Sequence, residues 1–304
     1  MPQPLTDAIN ALTTYANTVT GASDTTLSDA VATLASGYGG GGASLDGIAD
    51  GTEPTGTINL TATSIRYGAF AYTPNLVTVN MPNVTKVDNY AFFHSNVSSV
   101  YAPLLAGNAS SADAFAYTKL TKITDAEFPN LTSCNKNGTT YMFEYCTDVE
   151  KIFLSKLNET GTGTFRRQTS LLTVVCKNFS GYLGNNTFEY CTALTAVDMK
   201  KPSIAAGAFG NCTNLNTLIL RDDSAIATLA NVNALNNNTC FKNGGSGGTL
   251  YVPQSLISSY QSASNWSTIL GYANNSIKSI ESTHTDPNAP IDLTLYYADG
   301  TPIE

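Results

Sequence analysis

The sequence predicts an α/β repeat fold, a solenoid of stacked coils on a parallel sheet. Three observations predict it. First, a phrase recurs. TFEYCTALTAVDM from Thr187 returns as AFAYTPNLVTVNM from Ala69, MFEYCTDVEKIFL from Met142, TFRRQTSLLTVVC from Thr164 and AFGNCTNLNTLIL from Ala208. Shortened copies start at Ala91 and Ala114. Second, its phenylalanines (Phe70, Phe92, Phe115, Phe143, Phe165, Phe188 and Phe209) are 22, 23, 28, 22, 23 and 21 residues apart. Self-similarity at that period marks a solenoid. Third, each Phe is followed by Leu-x-x-apolar-x-apolar, as in Leu194, Val197, Met199 and Leu215, Leu218, Leu220. Residues two apart share one face of a strand. Val197 and Met199 are therefore expected inside, with Ala196 and Asp198 outside. One short strand cannot bury its apolar side alone; stacking supplies the core and the sheet.

Taken in order, residues 1–36 read as a short helical module. Leu5, Ile9 and Leu12 fall at helical spacing, as do Leu27, Val31 and Leu34. Such narrow stripes are marginal alone and want a partner surface. The module is either a local cap or an attachment and oligomerisation element. Residues 37–46 form a Gly-rich linker containing GYGGGG. It has no Gly-Lys-Ser/Thr of a phosphate loop. The solenoid with its terminal cap is assigned to 47–281. Ser133–Tyr141, in the longest interval, reads as an insertion that breaks the regular wall. Asn231–Gly248, rich in Asn and Gly, reads as a surface loop. Residues 282–304 form a tail whose Ile291, Leu293 and Leu295 alternate as a strand does.

The x-A-F-x-x-C-x-x-L-x-x-V/I pattern, repeated from about Ile58 to Leu250, resembles the BspA-like leucine-rich repeats. LYVPQSLISSYQSASNW, from Leu250 to Trp266, resembles the closing strand and helical cap of that family. The resemblance implies a right-handed leucine-rich-repeat solenoid used for adhesion and recognition, with no common catalytic residues. A second resemblance rests on Leu5–Val31, the Gly-rich joint and the repeats together. They look like tail-associated or receptor-binding proteins of phages and prophages of gut Firmicutes.

Composition narrows the classes. Charged residues make up 12%, so Ser, Thr, Asn and Gly must cover the surface. A net charge of -8 leaves no electrostatic footprint for nucleic acid. No apolar run reaches membrane-helix length, so no membrane insertion is expected. The N-terminal residues lack the basic and apolar regions of a signal peptide. Of six cysteines, Cys146, Cys191 and Cys212 each sit three residues after a Phe, which reads as a packing register. Buried free thiols are expected, with a Cys191–Cys212 disulfide as the alternative. No Cys-x2-Cys occurs and only His94 and His284 are present, so no zinc site is expected and no cofactor is implied.

Two surfaces are candidates for recognition. The outward sheet column runs Asn80, Tyr101, Thr124, Phe153, Val175, Asp198, Ile219. Its receptor-binding candidates are Tyr101, Phe153, Val175, Asp198 and Ile219, because a contiguous apolar column on one face suggests a contact surface. Cover by the tail or a sister subunit is the alternative. A second strip lies two residues after each Phe: Tyr72, His94, Tyr117, Tyr145, Arg167, Tyr190. It reads either as structural stacking or as a seat for sugar rings, beside a charge ladder of Glu144, Arg166 and Glu189. No facing pair of carboxylates and no Ser-His-Asp set is legible, so no enzyme is expected. The expected function is a non-enzymatic phage or prophage tail protein. It would bind a bacterial surface glycan or protein, join other virion proteins through residues 1–36, and admit a homo-oligomer. The expected location is the virion, assembled in the host cytoplasm. The alternatives are a BspA-like adhesin, cell-surface or secreted, and a purely structural virion component.

Overall fold

A computed structural model describes residues 55–107, 112–139 and 141–280. The helical module at 1–36, the linker at 37–46 and the tail at 282–304 lie outside the described residues.

The alternating segments form strands, and the strands stack in sequence order. Gly56–Asn59, Leu76–Asn80 and Ser99–Tyr101 make a three-stranded parallel sheet. Lys122–Thr124, Lys151–Phe153, Thr173–Cys176, Ala196–Met199, Thr217–Leu220, Thr249–Val252 and Ser276–Ser279 make a seven-stranded one. Val174 faces Val197, which faces Leu218, and all three are fully buried. The result is a parallel-sheet solenoid of about seven turns. At the break between the sheets, the Thr124 N–H donates to Glu127 Oε2 at 3.1 Å, and the Thr124 hydroxyl to the same oxygen at 2.5 Å. A carboxylate thus takes a backbone donor that a neighbouring strand would otherwise use. Lys122 Nζ, 2.8 Å from Glu127 Oε1, balances the buried charge.

A second set of ladders was not anticipated. Ser64–Ile65 pairs with Lys86–Val87, and Tyr182–Leu183, Ser203–Ile204 and Thr228–Leu229 form another parallel stack. Its signal is an apolar residue five positions before the Phe, at Ile65, Val87, Leu183 and Ile204, all buried.

The insertion differs from expectation. Ser133–Thr139 is a strand that pairs in parallel with Glu159–Thr162. Its register shifts between Cys134 and Thr139, so the extra residues are absorbed as a bulge and the wall continues. The surface-loop reading of Asn231–Gly248 is also corrected. The segment contains the helix Asn233–Asn236 and sends Ala234, Leu235 and Phe241 into the core. A Cβ on Gly248 would stand 2.6 Å from the Phe241 ring, so this glycine lets the ring lie flat against the backbone.

The helical cap forms as expected, as Ile257–Ser262 and Ser264–Leu270. Two buried aromatics fasten it. Trp266 Nε1 donates to the Ala227 carbonyl at 2.8 Å, and the Ala227 N–H donates to the Tyr260 hydroxyl at 2.8 Å. The strand Ser276–Ser279 then pairs beyond Thr249–Val252, so the strand at Leu250 does not close the sheet.

All six cysteines are free and buried, so Cys191 and Cys212 are not bridged. Their register is a hydrogen-bond register. Cys146, Cys191 and Cys212 donate to the carbonyls of Phe115, Phe165 and Phe188, one coil back, at 3.0–3.2 Å. Gln168 does the same to Phe143. In the first coils Thr73, Ser95 and Thr118 donate to their own coil's Phe carbonyl at 2.8 Å. Burial pushes the Cys146 and Cys176 thiols up to about 12, and Cys212 well above its ordinary value, so these thiols are held protonated and inert.

Candidate functional site

The repeat turns its chain around each Phe, and this turn builds the candidate site. The Phe N–H bonds to the coil ahead: Phe70 to the Ala91 carbonyl at 2.7 Å, Phe143 to Thr164 at 2.9 Å. Phe70, Phe92, Phe115, Phe143, Phe165, Phe188 and Phe209 stack with centroids 5.1–5.6 Å apart and planes within 12°. All are buried.

Two residues later the backbone enters the left-handed region in every coil. Tyr72, His94, Tyr117, Tyr145, Arg167, Tyr190 and Asn211 have φ between 55° and 63°. Non-glycine residues adopt this only at a cost of about 1–2 kcal/mol. Each repays it with a rung to the next coil, such as Tyr72 N–H to the Phe93 carbonyl at 2.8 Å and Arg167 N–H to Glu189 at 2.8 Å. The side chains then stack. Tyr72 lies 5.4 Å from His94, His94 4.2 Å from Tyr117, and Tyr117 4.4 Å from Tyr145, all within 15° of parallel. The Arg167 guanidinium sits between two rings, 4.8 Å from Tyr145 and 4.9 Å from Tyr190. It also donates to the Tyr145 hydroxyl. The column continues as amides, with Asn238 Nδ2 donating to Asn211 Oδ1 at 3.2 Å. The structure thus assembles the whole predicted strip.

Stacking decides which ring faces are open. Between Tyr72 and Tyr190 each face meets a neighbour, leaving edges for solvent. Tyr72 has His94 on one side and is 66% exposed. Among the described residues no ring or guanidinium covers its opposite face.

The charge ladder also forms. Arg166 bridges Glu144 (Nη1–Oε1, 3.0 Å) and Glu189 (Nε–Oε2, 2.6 Å). Burial raises the Glu144 pKa, and the Arg166 hydrogen bond and charge oppose the rise. Beside it, Asp113 is held at about 6 by burial and by the Glu144 charge, against the lowering of its hydrogen bond with Tyr90.

The outward sheet column lies in the expected register: Asn80 pairs with Tyr101, and Phe153, Val175, Asp198 and Ile219 pair in succession. Its accessibility is corrected. Val175, Asp198 and Ile219 are each only 1% exposed. Strands lie about 4.8 Å apart, so long side chains on neighbouring strands seal each other laterally. Asp198 is also clamped by Arg221, with Nε–Oδ1 at 2.6 Å and Nη2–Oδ2 at 2.7 Å. Of the five receptor-binding candidates only Tyr101, at 46%, is well exposed, and Phe153 is half-buried.

Sequence reasoning missed an aromatic cluster around Tyr72. Phe93 meets Tyr72, Tyr90, His94 and Tyr117 edge-on at 4.5–5.7 Å, and Tyr90 meets Tyr67 at 5.4 Å. The available signal was the aromatic density of YGAFAY from Tyr67 and YAFFH from Tyr90. Among the described residues no three His, Cys, Asp or Glu side chains are grouped to hold a metal, and no helix is long and apolar enough to cross a membrane.

Comparison with known proteins follows the same repeat. The profile of the BspA type Leucine rich repeat region matches in six copies, over 63–195, 111–242 and 183–283. No curated protein sequence matches. Among solved structures, the chain is similar to a leucine-rich repeat protein from Bacteroides ovatus at 17% identity and TM-score 0.43. That match covers 71% of this chain and 57% of that one. It is similar to a leucine rich cell surface protein from Faecalibacterium prausnitzii at 14% identity and TM-score 0.33, covering 78% and 62%. A leucine-rich repeat protein from Eubacterium ventriosum is 17% identical with TM-score 0.28, covering 74% and 67%. The chain thus spans about three-fifths of the first two of these. No catalytic family is indicated.

Proposed function

Because the chain belongs to the BspA-type leucine-rich repeat family, we propose that it is a non-enzymatic recognition scaffold that adheres to bacterial surfaces, carried on a phage or prophage tail. The observation that carries the recognition reading is where apolar surface is left open. Six large apolar side chains are well exposed among the described residues, and five of them (Tyr67, Tyr72, Val77, Tyr101 and Leu104) belong to the first coils. Elsewhere among the described residues, Tyr190 apart, the large apolar side chains are buried or half-buried. Concentrated exposed apolar surface on a rigid scaffold suits contact with a partner. Many modest contacts of this kind gain from multivalent display.

The tail assignment rests on the Leu5–Val31 pattern, the Gly-rich joint and a surface of Ser, Thr and Asn. A cell-surface adhesin would use the same coils, and a structural virion component would bury them in subunit contacts. The test is binding of labelled protein to a panel of gut bacterial strains, beside a Tyr101→Ser/Leu104→Ser variant of unchanged melting temperature. Strain-selective binding, weakened at least several-fold in the variant, is the expected result. Absence of binding in any strain, even on multivalent beads, would sink the recognition reading. Immunogold labelling of induced particles and of intact cells separates the tail from the cell surface.

A further inference from the structure

The aromatic corner of the first coils has a geometry that the remaining coils lack, and it points to one class of partner. We infer that the cluster of Tyr67, Tyr72, Tyr90, Phe93 and His94 is a glycan-binding platform, on which a sugar ring stacks against the open face of Tyr72. This deepens the recognition reading above and rests on it.

The side chains that follow Tyr72 repeat as flat groups at 4.2–5.4 Å, each covering the one before. Among the described residues Tyr72 ends that series; it is 66% exposed, and no described ring stacks on its far face. A pyranose offers a flat face of C–H bonds, which suits the electron-rich face of an aromatic ring. Phe93 meets the Tyr72 ring at 82°, so packing as well as stacking holds the orientation of the platform. Pre-organised rings lose little conformational entropy on binding, which matters for weak saccharide contacts.

A second open ring extends the platform. Tyr67 is 58% exposed and touches the cluster only through its edge contact with Tyr90. Three ring-to-ring steps of 5.2–5.7 Å, through Tyr90 and Phe93, link Tyr67 to Tyr72. The two open tyrosines thus belong to one connected cluster. The open rings are tyrosines, so each offers a hydroxyl beside its apolar face. Of the nearby charges, Lys86 pairs with Asp88 at 2.7 Å and Asp113 partners Tyr90, while Arg66, next to Tyr67, is exposed. The corner thus combines flat apolar faces with hydroxyls, as a polyhydroxyl ligand requires.

The fold supplies the test variant. Asn211 occupies the register of Tyr72 in a later coil with φ 58°, against 57° at Tyr72. Tyr72→Asn therefore removes the ring and keeps the backbone. Tyr190→Asn is the control, because its ring is engaged by Arg167. The full chain and both variants are titrated onto cells of a binding strain, untreated, periodate-oxidised or protease-shaved, and onto the polysaccharide extracted from that strain. The expected result is binding to polysaccharide and to shaved cells, loss on periodate-treated cells, at least tenfold weakening in Tyr72→Asn and less than twofold in Tyr190→Asn. Binding that survives periodate but not protease identifies a protein partner and overturns the inference while leaving the recognition reading intact. Unchanged polysaccharide affinity in Tyr72→Asn also overturns it. If the parent protein binds no strain, the recognition reading fails and takes the inference with it.

Discussion

Two columns run side by side along the solenoid, two residues apart, and they follow opposite rules. The Phe column keeps one residue type in all seven coils, with rings 5.1–5.6 Å apart and sealed from water. The column beside it holds Tyr, His, Arg and Asn on one backbone conformation and one set of rungs. In the first, the side chain is dictated by the space it must fill. In the second, the main chain carries the structure and the side chain is free to vary. A repeat fold thus separates positions that hold the coil from positions that decide what the coil presents.

The comparison is broken most severely within one coil. Phe143→Ala should cost about 3–5 kcal/mol, because a fully buried ring leaves a cavity between Phe115 and Phe165. Tyr145→Asn, two residues on, should cost about 1–2 kcal/mol, since it loses contacts with Tyr117 and Arg167 but keeps its rung. Urea denaturation of both variants measures the gap; equal costs would erase the distinction between the columns.

The next test concerns the turn on the other side of the Phe. Gly163 has φ 65°, and a Cβ there would stand 2.2 Å from the Tyr141 ring. Gly163→Ala should destabilise by about 1–3 kcal/mol. In a Tyr141→Ala background the penalty should shrink to the backbone cost of about 1–2 kcal/mol. An undiminished penalty would remove the ring from the account.

The smallest effect is electrostatic. Asp113 titrates at about 6 in the folded chain against an ordinary value of 3.8. The folded state therefore holds this proton more tightly than the unfolded state. Its stabilising contribution is complete below about pH 4 and is lost as pH rises through 6. Asp113→Asn keeps a residue that tolerates the left-handed region. Its melting temperature should exceed that of the parent at pH 7.5 and match it at pH 4. The reverse ordering would contradict the burial of this carboxylate.

Much of this was legible in the sequence, and the exceptions have physical causes. The Phe spacing, the Leu-x-x-apolar-x-apolar alternation and the Glu144–Arg166–Glu189 ladder are one-dimensional patterns, and the structure reproduces them. The stacked strip from Tyr72 to Tyr190 was visible for the same reason. The burial of Val175, Asp198 and Ile219 was not, because alternation tells which side of a strand a residue faces and nothing about lateral cover. The short ladders at Ile65, Val87, Leu183 and Ile204 were hidden because two-residue strands leave one apolar position per coil. Phe241 was obscured by the Asn and Gly around it, which signal turns whether or not the turns are packed. The left-handed residues left no trace where Tyr, His or Arg stands in place of Gly or Asn.

The rungs beside each Phe have an evolutionary consequence. Because they join main chain to main chain, such as Tyr117 N–H to the Glu144 carbonyl and Tyr190 N–H to Gly210, they do not depend on which two coils meet. Recombination between copies of the gene segment, at matching points of the phrase, would splice one turn onto another without altering the joint. Tandem duplication would lengthen the array, and shuffling would reorder the presented residues. Diversity at the surface would then arise by rearranging whole turns as well as by point substitution.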